Sequence, residues 1–397
     1  MIFFQNPDRQ WYKKTISQWV RGARAMNKYE YILDDHLDKG IVNVILPVTG
    51  KNKIQKLLNI FLRFIRFYVW IKINGLNYKS FNIAYSYAEL NDKDLVFVFF
   101  HDNFAKIPCC CEKKRYKKDI RLARCKFLVH LNHYVYNISD GSDLCSQVNN
   151  IEFIAETNLY KHSSFFKKYF SWFDKPVKVL PFCITDRFQY LSGEERIPKA
   201  VATGAVTYKI DDNDFINFFG TDILQPERKY LLENAGNNNH IHLSISEFKN
   251  FKNHGLIKTL ILNFMNYLYA FVHRKISLDT KPFYSLDLPK FYNQFEFVVC
   301  PAEIIGLPGI GAFEAMASGA ILISNDNILY SDYGLKENLN YISYNGTIDD
   351  LVCKIKSLLN DEDQIEFLRK NSLQIINDNM RTEACKSNFD RLTENYL

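Results

Sequence analysis

The sequence of 397 residues lacks the features that mark several protein classes. It has no basic tail and no nucleic-acid-binding motif, and a net charge of +6 is mild for this length, so we expect no nucleic-acid partner. The start of the chain, MIFFQNPDRQWYKK, carries charges where a signal peptide needs an apolar run, so we expect a cytoplasmic protein. Internal repeats and low-complexity linkers are also missing.

Regular cysteine spacing is missing as well. The nine cysteines are odd in number and irregularly placed, which argues against a disulfide framework. The run Cys109, Cys110, Cys111 is not a C-x-x-C pair, and no second pair follows at zinc-finger distance. We therefore expect reduced thiols and no metal site.

No apolar run is long enough to cross a membrane. The longest, Leu57 to Ile73, is shorter than a span and contains Arg63, Arg66 and Lys72. Polar residues recur there at spacings of three and four and line one face of a predicted helix: Asn52, Lys53, Lys56, Asn59, Arg63 and Arg66. Two arrangements of residues 52–73 remain open. In the first arrangement, the helix contacts the inner membrane face peripherally, with its cations on anionic headgroups. In the second, it packs on its own domain with a solvated basic face.

The first half of the chain alternates short apolar strands with amphipathic segments such as Arg9 to Met26. Near-continuous apolar runs of this length are typical of parallel strands buried on both faces. The predicted strands are Val42 to Pro47, Asp94 to Phe100, Lys126 to Leu131, Ile151 to Ala155 and Val177 to Pro181. The polar stretch Ser192 to Lys199 then marks a domain boundary.

The second half repeats this alternation and ends in helices from Asp349 onward. Its predicted strands are Ala200 to Thr203, His242 to Ile245, Phe297 to Cys300 and Ala320 to Ser324. The pattern predicts an α/β protein with two Rossmann-like, doubly wound domains facing a central cleft, where the ligand binds at the carboxyl ends of the strands. We place the domains at residues 1–192 and 193–380, followed by a C-terminal helix at 381–397.

One segment carries the chemistry: a strand ending at Cys300, a loop rich in Gly and Pro, and a helix that begins near Ala312 and stops at Gly319. Glycines in such a loop let backbone N–H groups approach phosphate oxygens, and the start of the helix attracts an anion. Glu314, in the first turn, could accept hydrogen bonds from two ribose hydroxyls. A plain strand-to-helix loop, with Glu314 complementing the helix dipole, is the alternative.

The letters GLP followed by EAMASG resemble the donor-site motif of GT-B glycosyltransferases, particularly retaining family 4. The resemblance covers residues 296–380 and extends to Val179 to Phe188, whereas over residues 1–150 it rests on architecture alone. It implies a metal-independent, retaining transferase that takes a nucleotide-diphosphate sugar and needs no further cofactor. A saccharide or lipid-linked saccharide would be the acceptor, and the helix at 381–397 would return to the N-terminal domain.

The family places one glutamate near the donor sugar and a second on the ribose. Glu314 matches the second, and Glu303 matches the first if three extra residues are allowed between them. Gly204 and Lys209 resemble the family's diphosphate-facing element, and Arg228 is a competing cation. The implied donor-binding set is Gly204, Lys209, Arg228, Gly306, Leu307, Pro308, Gly309, Gly311, Glu314 and Ser318.

The family also carries a histidine near the donor sugar, at the end of a strand in its first domain. His133 matches that place best, with His101 as the alternative, and a third histidine, His130, ends the same strand as His133. The implied catalytic candidates are therefore His133, His101 and Glu303.

Three other functions are compatible with parts of the sequence. A metal-dependent transferase needs an Asp-x-Asp pair, but the matches at 212–214 and 361–363 read as turns or helix caps. An epimerase acting on nucleotide sugars could use the same fold. A non-catalytic partner of an active transferase would tolerate the altered glutamate spacing.

Overall fold

The computed structural model describes residues 1–9, 29–99, 118–131, 138–158, 162–207, 213–236, 238–248 and 287–396. Within these ranges the chain forms two sheets in which every strand pairing is parallel. The predicted α/β class is confirmed.

The first sheet has seven strands: β1 Ile2–Gln5, β2 Val42–Ile45, β3 Phe81–Ala84, β4 Leu95–Val98, β5 Lys126–His130, β6 Ile151–Ala155 and β7 Lys178–Val179. Their order is β3-β2-β1-β4-β5-β6-β7, so the winding reverses between β1 and β4. Of these strands, β1 and β3 were not predicted from the sequence. All of β1 is buried at the centre of the sheet, so the apolar start of the chain is core.

Helices cover both faces of this sheet, and two apolar cores result. The helices are α1 Glu30–Asp38, α2 Lys53–Ile73, α3 Ile138–Ser146 and α4 Ser164–Tyr169. Phe3 belongs to one core and its neighbour Phe4 to the other, as alternation along a strand requires. Burial on both faces explains why the strands read as continuous apolar runs.

The second sheet has five strands: β8 Ile197–Thr207, β9 Ile241–Phe248, β10 Phe295–Val299, β11 Ile321–Asn325 and β12 Ile342–Tyr344. The helices in this half of the chain are α5 Asn213–Phe219, α6 Pro226–Asn234, α7 Leu288–Asn293, α8 Ile310–Ala317, α9 Ile348–Leu359, α10 Glu362–Asn379 and α11 Thr382–Thr393. The order β12-β11-β10-β8-β9 reverses between β8 and β10. Ligands of such sheets bind where the order reverses, so this point locates the candidate site.

The last helix, α11, packs on the first domain, as expected. Phe389 and Cys385 belong to the core that contains Phe4, and the rings of Phe389 and Phe97 lie 5.3 Å apart. The backbone N–H of Ile184 donates to the carbonyl of Met380 (2.8 Å) where the two interdomain segments meet. The proposed boundary at residues 192 and 193 falls between β7 and β8 and stays a prediction.

Helix α2 is anchored to its own domain through a buried arginine. Its buried side chains are Arg63, Phe67, Trp70 and Ile71, so the face with Arg63 points inward. Both oxygens of buried Asp8 accept hydrogen bonds from Arg63, at 3.0 and 2.9 Å. Arg63 is thus buried, whereas Lys53, Lys56 and Arg66 of the same polar stripe are exposed, and so is the apolar side of the helix. Both arrangements of residues 52–73 stay predictions. No helix in the described part of the chain combines the length and apolarity needed to cross a membrane.

Candidate functional site

The loop between β10 and α8, residues 300–309, closes a tight turn. The N–H of Glu303 donates to the carbonyl of Leu307, and the N–H of Gly306 donates to the carbonyl of Glu303, both at 2.7 Å. Gly306 has a φ of 86°, and a Cβ there would lie 2.8 Å from Cδ1 of Leu329. Glycine at 306 is thus required for the shape of the loop.

The loop leads into the N-terminus of α8. Gly309 is its N-cap residue and, within the described structure, no side chain caps the first turn. Gly311 approaches the ring of Tyr292 so closely that a Cβ would lie 3.1 Å from the phenol oxygen. The backbone N–H groups at the start of α8, together with the helix dipole, suit an anion.

Arg228 is a cation that lies close to this helix start. It is the third residue of α6, only 7% exposed, and its Nη1 donates to the carbonyl of Ala205 at 2.8 Å. Its Nη2 lies 3.7 Å from Sγ of Cys300, and a Cβ on Gly309 would lie 3.6 Å from the same nitrogen. A Cβ on Gly204 would lie 2.9 Å from the guanidinium carbon. Arg228 therefore bridges the ends of β8 and β10 where the strand order reverses.

Part of this cation is unsatisfied by the protein. Nε of Arg228 is buried and has no hydrogen-bond partner among the described residues. Unpaired buried donors are rare, and leaving one costs about 1–3 kcal/mol unless a ligand or water meets it. The guanidinium therefore suits an anionic ligand better than a purely structural role.

Two partly buried carboxylates belong to the same region: Glu303 in the loop and Glu227, the residue before Arg228 on α6. Nε2 of Gln225 donates to Oε1 of Glu303 at 3.2 Å, which joins the loop to the start of α6. Within the described residues, Oε2 of Glu303 and Oε2 of Glu227 are buried without a hydrogen-bond partner. Burial raises the pKa of Glu227. Acceptors of this kind suit the hydroxyl groups of a sugar.

Glu314 lies one residue beyond the first turn, because α8 begins at Ile310 rather than near Ala312. Nη2 of Arg187 lies 4.0 Å from Oε1 of Glu314. Burial and then the charge of Glu314 raise the pKa of Tyr292, which places that carboxylate near the ring. Glu314 therefore complements the helix dipole less well than a first-turn residue would, because the effect is confined to the first turn.

Three other predicted donor residues are buried. Leu307 packs in the core that contains Phe3, and Pro308 is also buried. Ser318 is fully buried at the far end of α8, where its hydroxyl donates to the carbonyl of Glu314 at 3.0 Å. The structure brings Ser318 to the end of the helix opposite the loop.

The remaining candidates, His101, His133 and Lys209, lie outside the described residues. His130 is described and fully buried, with its ring nitrogens 3.2 and 3.1 Å from the hydroxyl of Tyr29. It is thus a core histidine that shares a hydrogen bond.

The Asp-x-Asp match at 361–363 lies at the start of a helix, and the match at 212–214 is only partly described. Asp361 is the N-cap of α10 and accepts from the N–H of Gln364 at 2.9 Å, as expected for a cap. Asp214 lies in the first turn of α5, and Asp212 is outside the described residues. Across the part of the chain that the structure describes, no group of three His, Cys, Asp or Glu residues is arranged to hold a metal ion.

Sequence reasoning missed Arg187, Gln225, Glu227 and Tyr292. Gln225 and Glu227 flank Pro226 in the segment QPERK. From this polar segment, only Arg228 was predicted to bind the donor. Tyr292 sits in a short helix with no motif, so only the fold brings it to Gly311 and Glu314.

Comparison with solved structures identifies the architecture. HepE from Anabaena in complex with UDP and glucose superposes with a TM-score of 0.54 at 11% identity, over 99% of each chain. The chain has the GT-B fold. Sucrose-phosphate synthase from Thermosynechococcus elongatus agrees, at a TM-score of 0.54 and 11% identity over 99% of this chain and 98% of that one.

The pneumococcal O-GlcNAc transferase GtfA in complex with UDP and GlcNAc gives a TM-score of 0.41 at 17% identity, and this chain spans 58% of its length. No family model matches the sequence, and a search of curated proteins found no match.

Proposed function

We propose that this GT-B chain is a glycosyltransferase that moves a sugar from a nucleoside-diphosphate donor to a saccharide or lipid-linked saccharide. The observation that carries the proposal is Arg228, a buried cation with an unpaired Nε where the strand order reverses. It lies against Gly309, at the uncapped start of α8. A diphosphate is the ligand that this combination of guanidinium and helix amides suits best.

The same groups would assist departure of the nucleoside diphosphate. Negative charge develops on the leaving diphosphate, and preorganised donors that face it stabilise the transition state. Arg228 and the first amides of α8 supply such donors, so we propose transfer without a metal ion. Retention of configuration is proposed from the family resemblance.

Two carboxylates complete the proposed donor site. Glu314 would accept hydrogen bonds from the ribose hydroxyls, next to Tyr292. Glu303, fixed by Gln225, would accept from a hydroxyl of the donor sugar through its unpaired Oε2. His133 or His101 would approach the sugar from the first domain.

The test is a thermal-shift screen of UDP-, GDP-, CMP- and dTDP-sugars, followed by turnover with saccharide acceptors with and without a chelator. A specific donor raises the unfolding temperature by mass action, and we expect one nucleotide to do so. UDP is the first to try, because HepE was solved with it. Transfer that continues in chelator supports metal independence. Free epimerised donor without acceptor would support the epimerase, and donor binding without chemistry would support the non-catalytic partner.

Replacing Glu314 with alanine should weaken donor binding about 10- to 100-fold, because charged hydrogen bonds contribute about 1.5–3 kcal/mol each. The KM for the donor and the Kd for the free nucleoside diphosphate measure this loss. Glu383→Ala is the matched control, since Glu383 is exposed on α11. Unchanged donor binding in a folded Glu314→Ala protein would exclude Glu314 from the ribose site.

A further inference from the structure

Helix α2 exposes a continuous apolar face. Phe61 is 58% exposed and Leu57 is 64% exposed, and both precede the buried residues of the helix, which begin at Arg63. Exposed apolar residues recur along about four turns and form what we call the apolar face of α2: Ile54, Leu57, Leu58, Phe61, Leu62, Ile65, Tyr68 and Val69. An exposed stripe of this size marks an interaction surface.

The rotation of the helix is fixed by what it buries. Trp70, Phe67 and Ile71 are fully buried against the sheet, and the buried Arg63 is paired with Asp8. Turning the apolar face inward would break this ion pair and expose three large apolar side chains. The face therefore remains directed away from its own domain.

The charge around this face points to an anionic partner. Residues 51–80 contain seven cations and no acidic residue. Arg63 and Arg66 contact Asp8, while the other cations are exposed: Lys51, Lys53, Lys56, Lys72 and Lys79. A second copy of this chain would bring like charges together, whereas an anionic lipid surface attracts them. Lys72 also lies over the ring of Tyr68 at 5.3 Å, an amphipathic pairing suited to a lipid interface.

The position of α2 relates the surface to the cleft. The helix follows β2, and its partner Asp8 follows β1, so the segment begins at the edge where the carboxyl ends of these parallel strands lie. In a GT-B protein that edge faces the cleft. We propose that the apolar face of α2 inserts into an anionic lipid surface, with the lysines on its phosphates. The inference rests on the proposed function in one respect: the bound lipid surface would supply a lipid-linked acceptor beside the donor site.

Co-sedimentation of the full chain with vesicles tests the docking, without donor or acceptor. Vesicles of equal parts phosphatidylcholine and phosphatidylglycerol should bind the protein, and phosphatidylcholine alone should bind it about tenfold or more weakly. Leu58→Gln/Phe61→Gln/Leu62→Gln should lower partition into the anionic vesicles at least about tenfold. Leu122→Gln/Leu191→Gln/Phe367→Gln is the control, because it removes the same exposed residue types elsewhere. Both variants should keep the wild-type unfolding temperature.

The outcomes of these experiments distinguish an anionic lipid surface from a second copy of this chain as the partner of the apolar face of α2. Equal binding by the two triple variants, or equal binding to neutral vesicles, would overturn the proposal. A lipid-free dimer that dissociates in the α2 variant would also overturn it, in favour of a second copy, and sedimentation velocity detects this. Vesicle binding in a protein that transfers no sugar would refute the proposed function alone. Sugar transfer to soluble acceptors without vesicle binding would refute the docking alone.

Discussion

Replacing Arg228 with methionine is expected to lower kcat for sugar transfer by about 100- to 1,000-fold, the range seen when one preorganised charge-stabilising donor is lost. Methionine keeps much of the apolar stem while removing the guanidinium that bridges Ala205 and Cys300. Because charge develops on the leaving diphosphate during reaction, the loss should fall on kcat more than on the KM of the donor. Steady-state kinetics with the donor identified by thermal shift measures both.

Two further variants make the Arg228 result specific. Lys229 is the next residue on α6 and pairs with Glu233 at 3.5 Å, so Lys229→Met should leave kcat within about twofold, as expected for a surface change. Arg228→Lys keeps the charge without the planar fork and should give an intermediate rate. If a folded Arg228→Met protein turned over at the wild-type rate, the cation at the leaving group would have to be another residue.

The second large effect is on stability. Asp8→Ala removes the carboxylate partner of Arg63, a guanidinium that is 7% exposed and also donates to the uncharged Oδ1 of Asn6. A buried charge without a charged partner costs about 3–5 kcal/mol. For a domain of this size that loss corresponds to roughly 6–20 °C in the unfolding midpoint, since each kcal/mol shifts it by about 2–4 °C. Differential scanning calorimetry measures the loss.

Asp38→Ala is the matched control for Asp8→Ala, because Asp38 is exposed at the end of α1. A double variant, Asp8→Leu/Arg63→Met, should recover most of the lost stability, because it removes both charges instead of one. A midpoint for Asp8→Ala that matched the Asp38→Ala control would show that Arg63 is adequately solvated without its carboxylate.

The strands that sequence reasoning located are those whose burial on both faces leaves a long apolar run, such as Ile151–Ala155, predicted with its observed bounds. The missed ones lack that signature. Phe81–Ala84 contains the exposed Asn82, and Ile2–Gln5 was interpreted together with the charges that follow it. Only pairing with β2 and β4 shows that Ile2–Gln5 is central to the sheet.

The features of the candidate site also fall into those that could be located from the sequence and those that could not. The glycine loop and Glu314 could be located from local spacing, because a strand, a loop and a helix follow one another along the chain. The contact of Gly204 with Arg228 and that of Gln225 with Glu303 join segments far apart in sequence, which a local pattern does not encode. Periodicity likewise showed two faces of α2 but not which one is buried, because the partner of Arg63 is Asp8, 55 residues away.

The return of α11 to the first domain has a consequence for biosynthesis. Phe389 and Cys385 complete a core whose other members, such as Phe97, leave the ribosome almost three hundred residues earlier. The first domain is therefore synthesised first but receives its last core side chains only when translation is nearly finished. The second domain, enclosed between Ile184 and Met380, has all of its strands by then. A chain terminated before residue 385 would release a finished second domain attached to a first domain with an open core, a form that quality-control proteases would recognise.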